Sequence, residues 1–320
     1  MRYDDSPPPP ESASSISPDR PWFARRPALA VGLAALAPTC LAGWLLTQVL
    51  AGPGQAAPQP AAAPLAAASS PPAAADAKAS ASASARAASP AAAPAKGPLA
   101  GRTVVIDPGH NTGNFQHGRE IDRQVDIGTN RKECDTTGTT TNSGYMEAEF
   151  SLDVSHRARA LLEAKGAKVV LTHDGDRPWG PCIDERARIG NQAAADAVIS
   201  VHADGASAGN RGFHVILPAR VKGGAADTAP IVGPSRDLGE RIAANFARAT
   251  GSAPANYLGS GTGMVVRDDL GGLNLSTRPK VFLECGNMRD DKDAAQLMSP
   301  QWRQKAAQGI ADGITGFLGG

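Results

Sequence analysis

The chain has 320 residues and a formal net charge of +1. It therefore carries no strong field for nucleic acid or an anionic lipid surface, and basic residues do not cluster beyond the N-terminal flank. Residues 51–98 are mostly Ala, Pro and Ser; such a stretch cannot bury enough apolar surface to offset its conformational entropy, which leaves about 220 residues for one α/β domain with a sizeable core.

Residues 1–27 are polar and end in Arg25-Arg26-Pro27, and Ala28 to Leu50 is apolar and uncharged. A run of about 20 apolar residues spans a bilayer, and arginines on its upstream side place the tail in the cytoplasm and export the rest. Two readings stay open for 28–50, an uncleaved signal anchor or a long signal peptide cut near residues 51–57. Residues 51–98 then form a disordered tether, and 99–320 the folded domain. Export suits disulfides. Cys134 and Cys182 lie in polar loops, Cys40 in the apolar segment, and Cys285 on an apolar strand where a buried thiol is expected. Cys134–Cys182 is the preferred pairing of the three that remain.

Within the domain, Arg102 to Asp107 predicts a strand, and Asn111 to Gly144 a long loop. Glu147 to Lys165 predicts an amphipathic helix, with Phe150, Val154, Ala158 and Leu161 at helical spacing and Gly166 as its C-cap. Lys168 to Thr172 is a second strand. Ile183 to Ala195 is a second helix, with Asp184, Glu185, Arg186 and Arg188 on its outer side. Ala197 to Val201 and Gly212 to Leu217 are strands, 219–232 a loop, and Arg236 to Ala249 a helix. A Gly-rich stretch at 251–263 precedes a short strand at 264–267 and a loop at 268–279. Lys280 to Glu284 is the last strand, and Pro300 to Phe317 the closing helix. This alternation predicts a single α/β domain, a twisted and mostly parallel sheet flanked by helices.

Three apolar strands run into a residue able to bind metal or move a proton: His110 after Asp107-Pro108-Gly109, His202 after Ser200-Val201, and Glu284 after Phe282-Leu283. Open α/β sheets bind ligands beyond the carboxyl ends of their strands. Catalytic zinc takes three His or carboxylate ligands and leaves one position open. Glu147, opening the first helix, is the third candidate; alone it is a charge favoured by the helix dipole. Glu149 competes but points about 200° away around the helix. His117, His156, His173 and His214 are read as ordinary polar residues.

Val104-Val105-Ile106-Asp107-Pro108-Gly109-His110, Asn142-Ser143-Gly144-Tyr145-Met146-Glu147, Ser200-Val201-His202-Ala203-Asp204 and Val281-Phe282-Leu283-Glu284-Cys285-Gly286-Asn287 resemble, in order and spacing, the zinc-dependent N-acetylmuramoyl-L-alanine amidases of the amidase-3 family. The resemblance covers residues 100–318 and is closest to small actinobacterial members without a separate wall-binding domain. It implies Zn²⁺ on His110, Glu147 and His202, with Glu284 moving the proton during hydrolysis of the amide between N-acetylmuramic acid and the stem-peptide L-Ala of peptidoglycan. The close members also resemble this chain in Cys134 and Cys182. Cys285 departs from a more usual Leu or Thr, and the membrane segment and tether are not family features. Asp107 could orient a ligand from behind or simply cap its turn. The loop Gly271-Gly272-Leu273-Asn274 could line the peptide groove, with Asn274 as a substrate contact. The expected partner is peptidoglycan, with membrane attachment through 28–50 if uncleaved, and the expected state a monomer. Three rival readings are another zinc wall peptidase such as a carboxypeptidase, a cysteine amidase built on Cys285, and a non-catalytic wall-binding or amidase-activating module.

Overall fold

The computed structural model describes residues 96–319. The expected tail at 1–27, the apolar segment at 28–50 and nearly all of the tether lie outside them. Among the described residues no helix is long and apolar enough to cross a membrane.

The ten strands are β1 Thr103–Pro108, β2 Gln124–Asp126, β3 Arg131–Glu133, β4 Lys168–Leu171, β5 Ala197–Asp204, β6 His214–Pro218, β7 Lys222–Gly223, β8 Ala226–Asp227, β9 Met264–Arg267 and β10 Lys280–Asn287. The helices are α1 Gly118–Ile121, α2 Glu147–Ala164, α3 Ile183–Gln192, α4 Val232–Thr250, α5 Gly271–Asn274, α6 Asp291–Met298 and α7 Pro300–Leu318. Six strands form one sheet in the order β4-β1-β5-β10-β6-β9. β4, β1, β5 and β10 are mutually parallel, β6 runs against β10, and β9 is parallel to β6. The sheet is thus mixed and mostly parallel.

Because side chains alternate across a strand, the sheet has two unlike faces. One carries Val104, Ile106, Ile199, Val201, Val215, Leu217, Val281 and Leu283, all buried with residues of α2, α4 and α7 in one core. On α2 the inward residues are Phe150, Val154, Ala158 and Leu162; Leu161, expected there, is only partly buried against the core. Cys285 also faces this core, 1 % exposed, so a thiol nucleophile at this position has no access to the opposite face. That opposite face carries Asp107, Ser200, His202, Lys280, Phe282 and Glu284 and is covered in part by α3 and α5.

Several elements differ from expectation. β5 and β10 continue three residues beyond Val201 and Glu284, because the parallel ladder carries on through His202↔Glu284 to Asp204↔Asn287. His202 and Glu284 therefore sit inside strands, where the pleat fixes their direction. The segment 111–144 is not a plain loop: it holds α1 and the β2–β3 hairpin, packed through Val125, Ile127, Cys134 and Cys182. The stretch 219–232 contains the small β7–β8 hairpin, and α4 starts at Val232, not Arg236. α3 ends three residues early, where Ala194 adopts a positive φ of 48°. α5 and α6 were not expected; α6 is started by Asp290, whose carboxylate accepts from the amides of Lys292 and Asp293.

Candidate metal centre

β1 ends in Pro-Gly, and the chain turns so that His110 takes a φ of 60°, a conformation uncommon for a residue with a Cβ. Arg186 holds this turn, donating to the carbonyl of His110 at 2.9 Å and that of Pro108 at 2.6 Å. Gly109 is required next to it: a Cβ there would lie 2.3 Å from the His202 ring. Gly138, with φ +72°, clears the other side, where a Cβ would come within 2.7 Å of His110 and 2.9 Å of Glu147.

Glu147 is the first residue of α2, and its buried carboxylate lies between the two imidazoles. Oε2 is 3.2 Å from His110 Nε2, and Oε1 is 2.8 Å from His202 Nδ1. Backbone amides of Thr139 and Ala203 donate to the same carboxylate. Glu149 is turned away and accepts from the Met146 amide. One ligand-type atom from each of His110, Glu147 and His202 falls within 4.8 Å of the others. Burial would raise Glu147, but the two histidines hold it well below the usual carboxylate range. Burial would also lower His110, but Glu147 and Asp135 raise it well above the ordinary imidazole range; His202 is lowered by burial. Two imidazole nitrogens and a carboxylate oxygen converging at this spacing are a donor set that fits a borderline-soft divalent cation such as Zn²⁺.

Glu284 lies directly across from His202 in the β5–β10 register. Its Oε2 is enclosed and has no hydrogen-bond partner. Burial, then the negative charges of Glu147 and Asp204, push this carboxyl well above its ordinary range. His110, Glu147, His202 and Glu284 line one cavity of about 370 Å³, with Asp204, Arg267, Gly271, Gly272, Leu273 and Phe282 among its other walls.

Behind the ligands runs a buried ion network. Asp107 accepts from Arg186 at 2.9 Å, from the hydroxyls of Thr172 and Ser200 at 2.7 Å each, and from Lys280 at 3.2 Å. Burial opposes ionisation, yet Lys280 and Arg186 hold Asp107 far below the carboxylate range. Asp107 does not touch a ligand side chain; its link to His110 passes through Arg186. Asp135 accepts from Arg186 at 2.9 Å and faces His110 Nδ1 at 3.3 Å. Arg186, read from the sequence as an outward residue of its helix, is 4 % exposed; two carboxylates from distant segments turn it inward. Asp135, Lys280 and Phe282 were likewise not foreseen. The signal for Asp135 and Arg186 was their spacing from the cysteines: Asp135 follows Cys134, and Arg186 lies one helical turn beyond Cys182.

Cys134 and Cys182 are joined by a disulfide. Asn274 lies elsewhere than expected: it is fully buried, its Nδ2 donates to the Asp268 carbonyl at 2.7 Å and to Thr129, and it does not line the cavity. It therefore closes the 268–274 loop, and its neighbours Gly271, Gly272 and Leu273 form the wall. His173 bonds the Pro108 carbonyl, His156 pairs with Asp174 at the surface, and His117 lies beside Glu120. His214, opposite Glu284 in the β6–β10 register, is buried with its Nδ1 unpaired.

Comparison with known proteins agrees with this geometry. Residues 104–316 match the Amidase_3 family, described as N-acetylmuramoyl-L-alanine amidase. The N-acetylmuramoyl-L-alanine amidase Rv3717 of Mycobacterium tuberculosis is 41 % identical over 221 residues, 69 % of this chain and 88 % of that protein. The crystal structure of the N-acetylmuramyl-L-alanine amidase Ami1 of Mycobacterium smegmatis shares 40 % identity and superposes with a TM-score of 0.64, covering 69 % of this chain and 98 % of that one. The apo form of Ami1 from Mycobacterium abscessus gives 40 % identity and a TM-score of 0.63, covering 69 % and 100 %. The chain belongs to the Amidase_3 family of N-acetylmuramoyl-L-alanine amidases.

Proposed function

We propose that this protein hydrolyses the amide bond between N-acetylmuramic acid and the L-alanine of the stem peptide in peptidoglycan, with Zn²⁺ as its cofactor. The observation that carries the reading is the convergence of His110, Glu147 and His202 in a cavity that also holds the unpaired carboxyl of Glu284. His110, Glu147 and His202 would hold the metal. When bound, Zn²⁺ supplies a Lewis acid that polarises the scissile carbonyl and acidifies water.

The remaining work falls to the protein. Glu284 takes the proton from the attacking water and returns it to the leaving amine. Its position inside β10, with rigid backbone on both sides, fixes where that proton is handled. A carboxyl already shifted upward by burial is a better proton carrier near neutral pH than an exposed one. The Gly271–Leu273 stretch forms one wall of the cavity, and glycine at 271 lets it pack close, because a Cβ there would lie 2.5 Å from Ile127 and 2.8 Å from Ile183. A second metal-free route through Cys285 has no support, since its thiol faces the core.

The same reading places the domain outside the cytoplasm, acting as a monomer on the wall. Residues 28–50 would serve as anchor or signal, and 51–98 as spacer. The direct test is mass spectrometry of sacculi digested with the purified, zinc-loaded protein. Free stem peptides with an N-terminal alanine and peptide-free glycan strands are expected. Trimmed peptides still attached to the glycan would mean a carboxypeptidase, and unchanged sacculi a binding module.

A further inference from the structure

His110 Nε2 faces Glu147, so its Nδ1 faces the other way. There it meets the Thr136 carbonyl at 3.1 Å, the Thr136 hydroxyl at 3.2 Å and Asp135 Oδ1 at 3.3 Å. Acceptors on that side hold a proton on Nδ1 and make Nε2 the nitrogen that would face the metal. Asp135 is 7 % exposed and is itself fixed by Arg186, whose same Nη2 also donates to the His110 carbonyl. One guanidinium thus holds both the backbone of a ligand and the carboxylate behind that ligand's ring.

The two halves of this clamp come from segments joined covalently. Asp135 is next to Cys134, and Arg186 is one helical turn beyond Cys182. The Ile183 amide donates to the Cys134 carbonyl at 2.7 Å, the Arg186 amide to that of Cys182 at 2.9 Å, and Arg186 Nε to Pro181. The 134–136 segment lies past the end of β3 and is also held by the Cys134 amide on the Arg123 carbonyl at 2.7 Å, the Asp135 amide on that of Ile121 at 3.2 Å and Asn114 Nδ2 on that of Thr136 at 2.8 Å; the disulfide and Arg186 are what tie it to α3.

We infer that Asp135 is a positioning residue for the metal ligand His110, and that the Cys134–Cys182 disulfide anchors it, so the covalent link tunes metal affinity as well as stability. Thr136 shares the same ring nitrogen through its carbonyl and hydroxyl. What Asp135 adds is a negative charge at Nδ1–H that makes Nε2 a stronger donor, the usual effect of a carboxylate behind a metal-bound histidine. This inference rests on the proposal that His110 binds zinc.

The test is zinc affinity measured by competition with a chromophoric chelator, on full-length protein verified as folded by circular dichroism. Asp135→Asn keeps the shape and removes the charge; it should bind zinc about 10–100-fold more weakly, the range typical for such partners. The double replacement Cys134→Ser/Cys182→Ser should shift affinity the same way. Adding Asp135→Asn to it should cause less than the product of the two effects, because both act through one carboxylate. Wild-type affinity in Asp135→Asn would overturn the positioning role, and wild-type affinity in the serine pair, or fully multiplicative effects, would overturn the anchor. If the variants do not fold, nitrogen-15 NMR of the unsubstituted zinc-loaded protein decides: His110 should carry its proton on Nδ1 and present Nε2 to the metal, and the reverse arrangement would refute the clamp. Zinc loss in His202→Ala, measured in parallel, separates failure of the clamp from failure of the metal site.

Discussion

The Phe282 ring lies flat on the His202 imidazole, with centroids 3.8 Å apart and planes 15° apart. The two residues are two rungs apart on neighbouring strands and share the site face, so a phenyl group is the surface on which the His202 ring rests. Replacing Phe282 with Ala removes that support while leaving every ligand atom in place. Zinc affinity should fall by about 10-fold, with kcat reduced in the zinc-saturated enzyme. Equal affinity for the two proteins by chelator competition would show that Glu147 alone fixes His202.

His202→Ala should lose most bound zinc and nearly all peptide release. The domain should remain folded, because the main core lies on the opposite face of the sheet. Metal analysis and circular dichroism check both halves. Near-stoichiometric zinc in this variant excludes the ligand set.

Glu284→Gln should retain zinc while activity falls by about 10²–10⁴, the usual loss for a general base. It carries a stability signature too. A carboxyl raised above its unfolded value binds more protons in the native state, so its contribution is present at low pH and fades as pH rises through the folded value. In metal-free protein the Gln variant should therefore gain in Tm relative to wild type between pH 5 and pH 8. A difference that stays constant over that range would contradict the raised state of Glu284.

Arg186→Met removes the buried guanidinium shared by Asp107 and Asp135, leaving Asp107 to Lys280 and two hydroxyls and Asp135 to His110. Breaking a buried pair this way costs about 3–5 kcal/mol. Arg102→Met at the partly exposed Arg102–Asp196 pair should cost less than about 1 kcal/mol. Urea unfolding of the metal-free protein measures both. Similar losses for the two variants would mean that the buried network is not a structural keystone.

Asp107 gives the opposite pH signature from Glu284. Its carboxyl is held low by Lys280 and Arg186 against the effect of burial. Its stabilisation is complete above the unfolded value of about 4 and is lost as pH falls towards the folded one. Asp107→Asn should flatten the acid limb of the stability curve below about pH 4, while lowering stability at neutrality. An unchanged acid limb would assign the acid sensitivity to other carboxylates.

The parts of this architecture that sequence reveals are those written locally. Val104-Val105-Ile106 and Val281-Phe282-Leu283 are strands by composition, so the position of His110 just past β1 and the presence of Glu284 on β10 follow, though not that β10 runs on to Asn287. Glu147 follows from its place at a helix start beside a glycine-bearing turn. Arg186 could not be read this way. Its helix carries charge on four of its ten positions, and what turns it inward is Asp107, 79 residues away in sequence, and Asp135, 51 residues away. The β2–β3 hairpin was hidden for a related reason: strands of three residues, all three charged in β3, have no readable period. The disulfide and the small Val125–Ile127 cluster order that segment. α6 did have a local signal in the Asp290-Asp291-Lys292-Asp293 start, but it follows so soon after β10 that the two elements blur together.

The unlike faces of the sheet have a consequence for engineering. Val104, Ile199, Val201 and Leu283 on one side and Ile216, Phe282, Gly272 and Leu273 on the other share strands or flanking turns, yet only the second group meets the cavity. A library of apolar residues at Ile216, Phe282 and Leu273 would sample new groove shapes while leaving the core on the other face unchanged. Most members should remain soluble and protease-resistant, and a library of the same size at the first four positions should yield few that do.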